Sequence, residues 1–354
     1  MVNRFLLWSL TAFLIGAGAE RANACPACVL TAGPTVAQQL IGAESVLLVA
    51  SGKGNIETVA RIKGPASELP RDALRLATDV ATAGTLLVAQ DKESKQWRVV
   101  GSVGAEHAPW LRRVAASRGT AAMTEVDRRD HVAFYLPYLE HAEPLLAETA
   151  YTEIARSPYE AMRTLKPALN ANQIEGWLDD PRLSARGSLY TLMLGVAGGA
   201  RATDRIDRQV TAAQRQRDVM NLPALLVADL ELRGLARLDW IEKAYLTDKG
   251  RSPQEVQAAL LALQVQGGAD AAVPRERIVQ SYRTFIRSRH PLAGYPAPVL
   301  LSWQAWDAVP DYVALLTSKA PQHPASAIAM LNYLDSSPRP EGKAAVAAYR
   351  ASGR

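Results

Sequence analysis

The spacing of apolar residues changes once along this chain, and that change limits what it can fold into. From Ser45 to about Val103 the apolar runs are short: SVLLVA (45–50), IETVARI (56–62), ALRLATDV (73–80), GTLLVAQ (84–90) and WRVVGSV (97–103). In the second run Ile56, Thr58, Ala60 and Ile62 alternate with polar Glu57 and Arg61, the period-2 pattern of a strand with one buried face. Gly52-Lys53-Gly54-Asn55 predicts a hairpin between the first two runs, Lys63-Gly64-Pro65 ends the second, and polar Asp91 to Lys95 separates the last two. Five short strands over about sixty residues suit a small closed barrel of the oligonucleotide/oligosaccharide-binding (OB) type.

From about Asp127 the period becomes helical. Val132, Tyr135, Leu136 and Leu139 form one stripe, and Leu145, Leu146, Thr149, Ala150 and Ile154 another. Pro144, Pro158, Pro181, Pro223, Pro253 and Pro274 each stand near the start of a new apolar-periodic run, where a missing N–H costs a helix least. Short helices joined by short turns over more than two hundred residues predict an antiparallel helical stack, with a superhelical array of helix pairs favoured over a compact bundle. The fold class expected is α+β multidomain.

The first 24 residues have the three parts of a secretory signal: Arg4, the apolar run Phe5 to Ala17, and the small-residue cleavage pattern Ala22-Asn23-Ala24. Cleavage after Ala24 would make Cys25 the first residue. A lipoprotein signal also places cysteine first, but normally with leucine three residues earlier; Ala22 and Asn23 depart from that pattern and weigh against lipidation. No later stretch is long and apolar enough for a transmembrane anchor, so the expected location is periplasmic or secreted. The formal charge of +5 falls to +4 once Arg4, Glu20 and Arg21 are removed, and basic residues occur only in short pairs such as Arg112-Arg113 and Arg128-Arg129. That balance argues against nucleic acid as a partner.

The only cysteines are Cys25 and Cys28, in Cys25-Pro26-Ala27-Cys28. Any intramolecular disulfide must join them, and so small a loop removes little chain entropy. Three readings stay open. A structural disulfide suits an oxidising compartment. A redox centre would need a helix start after a strand to depress the first thiol's pKa, and no strand precedes Cys25. A soft-metal site could draw on both thiolates and the terminal amine, but no second CxxC completes it, and His107, His131, His141, His290 and His323 lack ligand spacing. Val29 stands where a c-type haem would need histidine. No cofactor and no metal ligands are assigned.

The remaining candidates favour structural roles. His131 and His141 flank one expected helix, ten residues apart, and are read as helix-end residues. Gly195 to Gly199 follows a helix and is read as its stop, not as a phosphate loop. Ser184, Ser188 and Ser302 lack a Gly-x-Ser-x-Gly elbow, and Asp179-Asp180 before Pro181 fits capping. Trp303, Trp306 and Tyr312 can share a helix face; if exposed, they are the first candidates for a partner-binding patch.

Two segments carry family resemblances. CPACVLTAGPTVAQQLIGAESVLLVASGKGNIETVARIKG, followed by GTLLVAQ, resembles the netrin-module and tissue-inhibitor-of-metalloproteinase superfamily of barrels over Cys25 to about Val103. The resemblance places Cys25 at the terminal position by which those inhibitors grip a protease zinc. This chain has Cys-x-x-Cys where they have Cys-x-Cys bonded to distant cysteines, so inhibition is not carried over. Tyr135 to Pro167 and Asp180 to Gly199 are similar to HEAT-like repeats. The whole order resembles a group of exported bacterial proteins of planctomycete type, a resemblance that brings architecture and no activity.

The expected organisation is a signal peptide (1–24), a small OB/netrin-like barrel with the CxxC terminus (25–110), a linker (111–126), a HEAT-like helical domain (127–340) and a polar tail (341–354). The expected function is that of an exported, non-enzymatic interaction or scaffold protein whose partner is another envelope or periplasmic protein. The alternative is a periplasmic thiol-redox or metal-handling protein using Cys25 and Cys28.

Overall fold

The computed structural model describes residues 27, 33–52, 55–65, 84–118, 123–268, 270–318 and 322–352. Helix α1 (Val36–Gly42) is set by Thr35, whose hydroxyl accepts the N–H of Gln38 while the Gln38 side chain accepts the N–H of Thr35. This reciprocal cap satisfies two of the donors a helix start leaves open. Four antiparallel strands follow: β1 (Ala43–Gly52), β2 (Asn55–Lys63), β3 (Thr85–Asp91) and β4 (Trp97–Ser102), in spatial order β2-β1-β3-β4. The β1–β2 hairpin closes on the pair Gly52 and Asn55, and Asp91 turns β3 into β4 by accepting the N–H groups of Glu93 and Ser94.

The continuous apolar run of β1 has a physical reason. Val46 and Leu48 point into the main core, while Leu47 and Val49 join Leu86, Val88 and Trp97 in a second buried cluster on the other face. A central strand buried on both faces needs no alternation. Four of the five expected strands are therefore present. The fifth, 73–80, lies outside the described residues, and what the structure gives is a four-stranded antiparallel sheet.

Helix α2 (Ala108–Ala116) packs on α1 and β2, with Leu111 and Val114 fully buried. The first part of the expected linker 111–126 is thus a packed helix: Trp110, Leu111, Val114 and Ala115 recur at helical spacing and give it a face to bury. The chain continues through α3 (Glu125–Tyr135), α4 (Pro144–Ala155), α5 (Tyr159–Arg163), α6 (Ala171–Asp179), α7 (Gly187–Ala197), α8 (Ala200–Gln216) and α9 (Leu222–Arg233). It ends with α10 (Leu235–Ile241), α11 (Pro253–Gln266), α12 (Arg275–Ser288), α13 (Ala297–Ser302), α14 (Val309–Ser318), α15 (Pro324–Ser336) and α16 (Pro340–Ala351). The protein is α+β, with a small antiparallel sheet and a helical C-terminal part.

Five of the six prolines do what their spacing implied, while Pro181 opens a short 3-10 segment, Pro181–Arg186. Pro144 and Pro253 open α4 and α11, Pro223 is the second residue of α9, and Pro158 and Pro274 immediately precede α5 and α12. Helices α7, α9 and α11 pack side by side in that order and are apolar almost all round, as core helices must be. On α8, by contrast, Ala202, Ile206, Val210 and Ala213 are buried while Arg201, Arg208 and Arg215 face solvent. At Gly195 a Cβ would come 2.7 Å from the Cα of Ala228, so α7 and α9 meet nearly backbone to backbone. Gly198, at φ 77°, then ends α7, as the glycine run suggested.

One continuous set of buried side chains runs from Ala37 and Val46 beside and within the sheet to Val346 in α16. The segment expected as a polar tail is therefore largely α16, packed on α14 and α15. Gly342 and Val346, one helical turn apart, supply its buried face. None of the described helices is long and apolar enough to cross a membrane.

Candidate functional site

Where α3, α5, α9, α11 and α12 converge, they leave an open cleft of about 1070 Å³. Its floor is organised by Glu231 at the end of α9. The Glu231 carboxylate accepts from Arg163 Nε (3.1 Å), Tyr159 Oη (3.4 Å) and Gln266 Nε2 (3.1 Å), and Gln266 is itself tied to the Val227 carbonyl. A carboxylate whose oxygens are occupied by three donors is a structural node that locks α5 to α9 and α11.

Above this floor the lining is charged in both senses. Arg129 and Lys166 are exposed cations, and Glu125, Glu160 and Asp270 are anions, with no ion pair joining any of them among the described residues. Arg275 is held differently. Its Nε donates to the Gly267 carbonyl at 2.6 Å, and its guanidinium lies 5.0 Å from the ring centre of Trp303. Trp303 in turn stacks on buried Tyr282 at 5.9 Å, and the absence of a side chain at Gly267 makes room for the indole. Tyr282 donates its hydroxyl to the Leu260 carbonyl, and burial pushes its phenol well above the ordinary range.

A second, smaller groove of about 370 Å³ lies between α11 and the segments carrying α13 and α15, and Gln264 lines both it and the cleft. This second part is mostly apolar, lined by Leu261, Tyr295, Pro298, Val299, Ala325 and Ala329, with the amides of Gln257 and Gln264 along one wall.

The sequence-derived candidates divide sharply. Trp303 is half-buried and lines the cleft. Trp306 is half-buried against Tyr333 at 5.2 Å. Tyr312 is fully buried and donates to the Ala293 carbonyl, so it is a core residue and no part of a surface patch. It lies 5.3 Å from Tyr333, which is itself fully buried. Cys25 and Cys28 lie outside the described residues; Ala27 between them is buried and belongs to the main core. Ser188 and Ser302 spend their hydroxyls on Asn221 and the Val299 carbonyl, and Asp180 caps the turn at Pro181 by accepting the Arg182 N–H.

The histidines prove less scattered than the sequence implies. His107 and His141 meet edge-on with ring centres 5.4 Å apart, and His141 Nδ1 accepts the Glu143 N–H. His131 is buried within α3, its Nε2 3.2 Å from Glu153 Oε2 but off hydrogen-bond alignment. The other Glu153 oxygen accepts from the Thr35 hydroxyl at 2.7 Å, which ties the cap of α1 to α4. Tyr135 packs on His131 at 4.9 Å; burial first, and then the charge of Glu153, push its phenol far above the ordinary range. No group of three or more metal-ligating side chains occurs among the described residues.

In the sequence Arg128 and Arg129 stand out only as a short basic pair, and nothing marks Lys166, Glu231 or Arg275. The cleft is assembled from segments more than a hundred residues apart, so no local pattern marks it. Comparisons with family models, curated proteins and solved structures found no match to this chain.

Proposed function

We propose that this chain is an exported, non-enzymatic interaction protein and that the cleft with its adjoining groove is where its partner docks. The carrying observation is the cleft itself: an open concavity holding Arg129, Lys166, Glu125 and Glu160, none of them in an ion pair among the described residues, beside a half-buried Trp303. Unpaired charges of both signs around an aromatic favour recognition of a polar protein surface, where pairing sets register and the aromatic gives affinity. In the finer architecture of this reading, the sheet is part of an OB-like barrel and the stacked helices α7, α9 and α11 are the inner layer of a HEAT-like array. Such arrays use extended concave surfaces for binding.

The dithiol fits this reading as a clasp. Ala27, between the two cysteines, is buried, which fits a terminus held against the body of the protein, where a Cys25–Cys28 disulfide would act as a clasp.

The test is capture from envelope extract by the immobilised full chain, run in parallel with an Arg129→Glu, Lys166→Glu double variant and a Met220→Ser variant whose site is exposed and outside the cleft and groove linings. A protein retained by the parent and by Met220→Ser, and lost with the double variant, is the expected result. Equal retention by all three would place binding elsewhere and overturn the assignment.

A further inference from the structure

We infer that the groove along α11 takes an extended, proline-compatible peptide segment of the partner, with an acidic residue at the end nearest Arg275. This rests on the interaction reading and names the partner's chemistry. Gln257 and Gln264 stand seven residues apart on α11, so both amides project from one face, about 10.5 Å apart along the axis. Neither side-chain amide has a hydrogen-bond partner among the described residues. An extended or polyproline chain covers about 9–10 Å in three residues, so backbone groups three residues apart come opposite the two amides. Each glutamine offers both a donor and an acceptor, which matches a backbone N–H or C=O without regard to side chain.

The facing wall supplies the apolar half of the arrangement. Ala325 and Ala329, one helical turn apart on α15, leave the space open, and Tyr295 and Pro298 flank it. Aromatic and prolyl walls are how grooves receive polyproline-type segments, which lose little entropy on binding because they are already extended. The acidic end follows from charge. Arg275 belongs to the cleft lining that includes Gln264 and is tied to the end of α11 by its Nε, which donates to the Gly267 carbonyl, while Gly267 N–H donates to the Gln264 carbonyl; its two terminal nitrogens lack partners among the described residues and can receive a carboxylate as a fork. No anion among the described residues pairs with it.

Fluorescence polarisation with the full chain tests this, using three labelled decapeptides as probes: one of alternating proline and leucine ending in two glutamates, the same peptide ending in two lysines, and a glycine–serine peptide ending in two glutamates. Saturable binding of the first is expected, with binding of the second at least tenfold weaker and none of the third. Gln257→Ala and Gln264→Ala should each weaken binding about fivefold, the usual worth of one hydrogen bond. Ala325→Trp, at an exposed position, should abolish it, and Met220→Ser should leave it unchanged. Circular dichroism checks the fold of each variant. No binding of the first peptide at millimolar concentration overturns the inference, as does binding indifferent to Ala325→Trp or to the charge of the peptide end. If those failures accompany envelope capture that still depends on Arg129 and Lys166, the peptide inference falls while the interaction reading stands.

Discussion

Thr35→Val tests how the N-terminal part is fastened to the helices. The Thr35 hydroxyl makes two bonds at once: it accepts the Gln38 N–H at 3.1 Å, capping α1, and donates to Glu153 Oε1 at 2.7 Å, across 118 residues of sequence. Valine keeps the methyl and the shape but removes both. The cap contributes about 1 kcal/mol. Donation to a buried carboxylate contributes about 1.5–3 kcal/mol, because among the described residues Glu153 would keep only His131, 3.2 Å away and poorly aligned, beside its side-chain oxygens. The expected loss is about 3 kcal/mol. Thr35→Ser keeps both bonds and sacrifices a buried methyl, a cost of about 1 kcal/mol. Equilibrium urea unfolding of the full chain should therefore rank parent, Ser and Val with a gap of about 2 kcal/mol between the two variants. A cycle with Glu153→Gln should show coupling of the Thr35 and Glu153 effects. Serine and valine variants of equal stability, or a strictly additive cycle, would show that the 2.7 Å contact carries no weight in holding α1 to α4.

Three further outcomes are expected. Gly267→Ala would put a Cβ 2.2 Å from the Trp303 ring, so the indole must leave Tyr282 and Arg275; near-ultraviolet circular dichroism should change and stability fall by about 1–3 kcal/mol, and an unaltered spectrum would contradict the packing described. Asp127, held below the ordinary carboxylate range chiefly by the backbone and then the side chain of Thr124, stabilises the fold above its unfolded pKa, and that contribution is lost as pH falls through its lower folded value; carbon-detected titration should find it below 3.9, and Asp127→Asn should weaken this part of the acid dependence. Protein from an oxidising compartment should show no free thiol at Cys25 or Cys28, and reduction should cost about 2 kcal/mol at most because the closed loop is so short; a readily titrated thiol would favour the redox or metal reading instead.

Local physics explains which parts of this protein can be read from its residues. The short run 56–62 and the turn residues after Gly52 specify β2 and the hairpin because strand length and turn chemistry are properties of adjacent residues, although of the alternating set Thr58 is exposed and Ala60 and Ile62 are the ones drawn toward the core. The same holds for Pro144 and Pro253 at the first position of α4 and α11, and for Gly198 after α7. Where the expectation failed, composition misled. Residues 341–354 look polar because α16 needs only a narrow buried face, built on Gly342 and Val346, to dock on α14 and α15. The start of the stretch 111–126 lacks a long apolar run for the same reason: Trp110, Leu111, Val114 and Ala115 form the face that seats α2 on α1 and β2.

The cleft was illegible for a different reason. Arg163, Glu231 and Gln266 are ordinary residues of three helices, and only the side-by-side order of α7, α9 and α11 brings α5 and α12 to one opening. Trp303 illustrates the step between the two levels. Its spacing from Trp306 and Tyr312 allows a shared face, yet α13 ends at Ser302 and a turn follows before α14. The three aromatics therefore separate: Tyr312 goes into the core, Trp306 packs on Tyr333, and Trp303 alone reaches the cleft, against Gly267. A helical period indicates which residues could share a face only while the helix lasts. Beyond a helix end, each side chain goes where its facing position leaves room, as Gly267 does for the Trp303 indole.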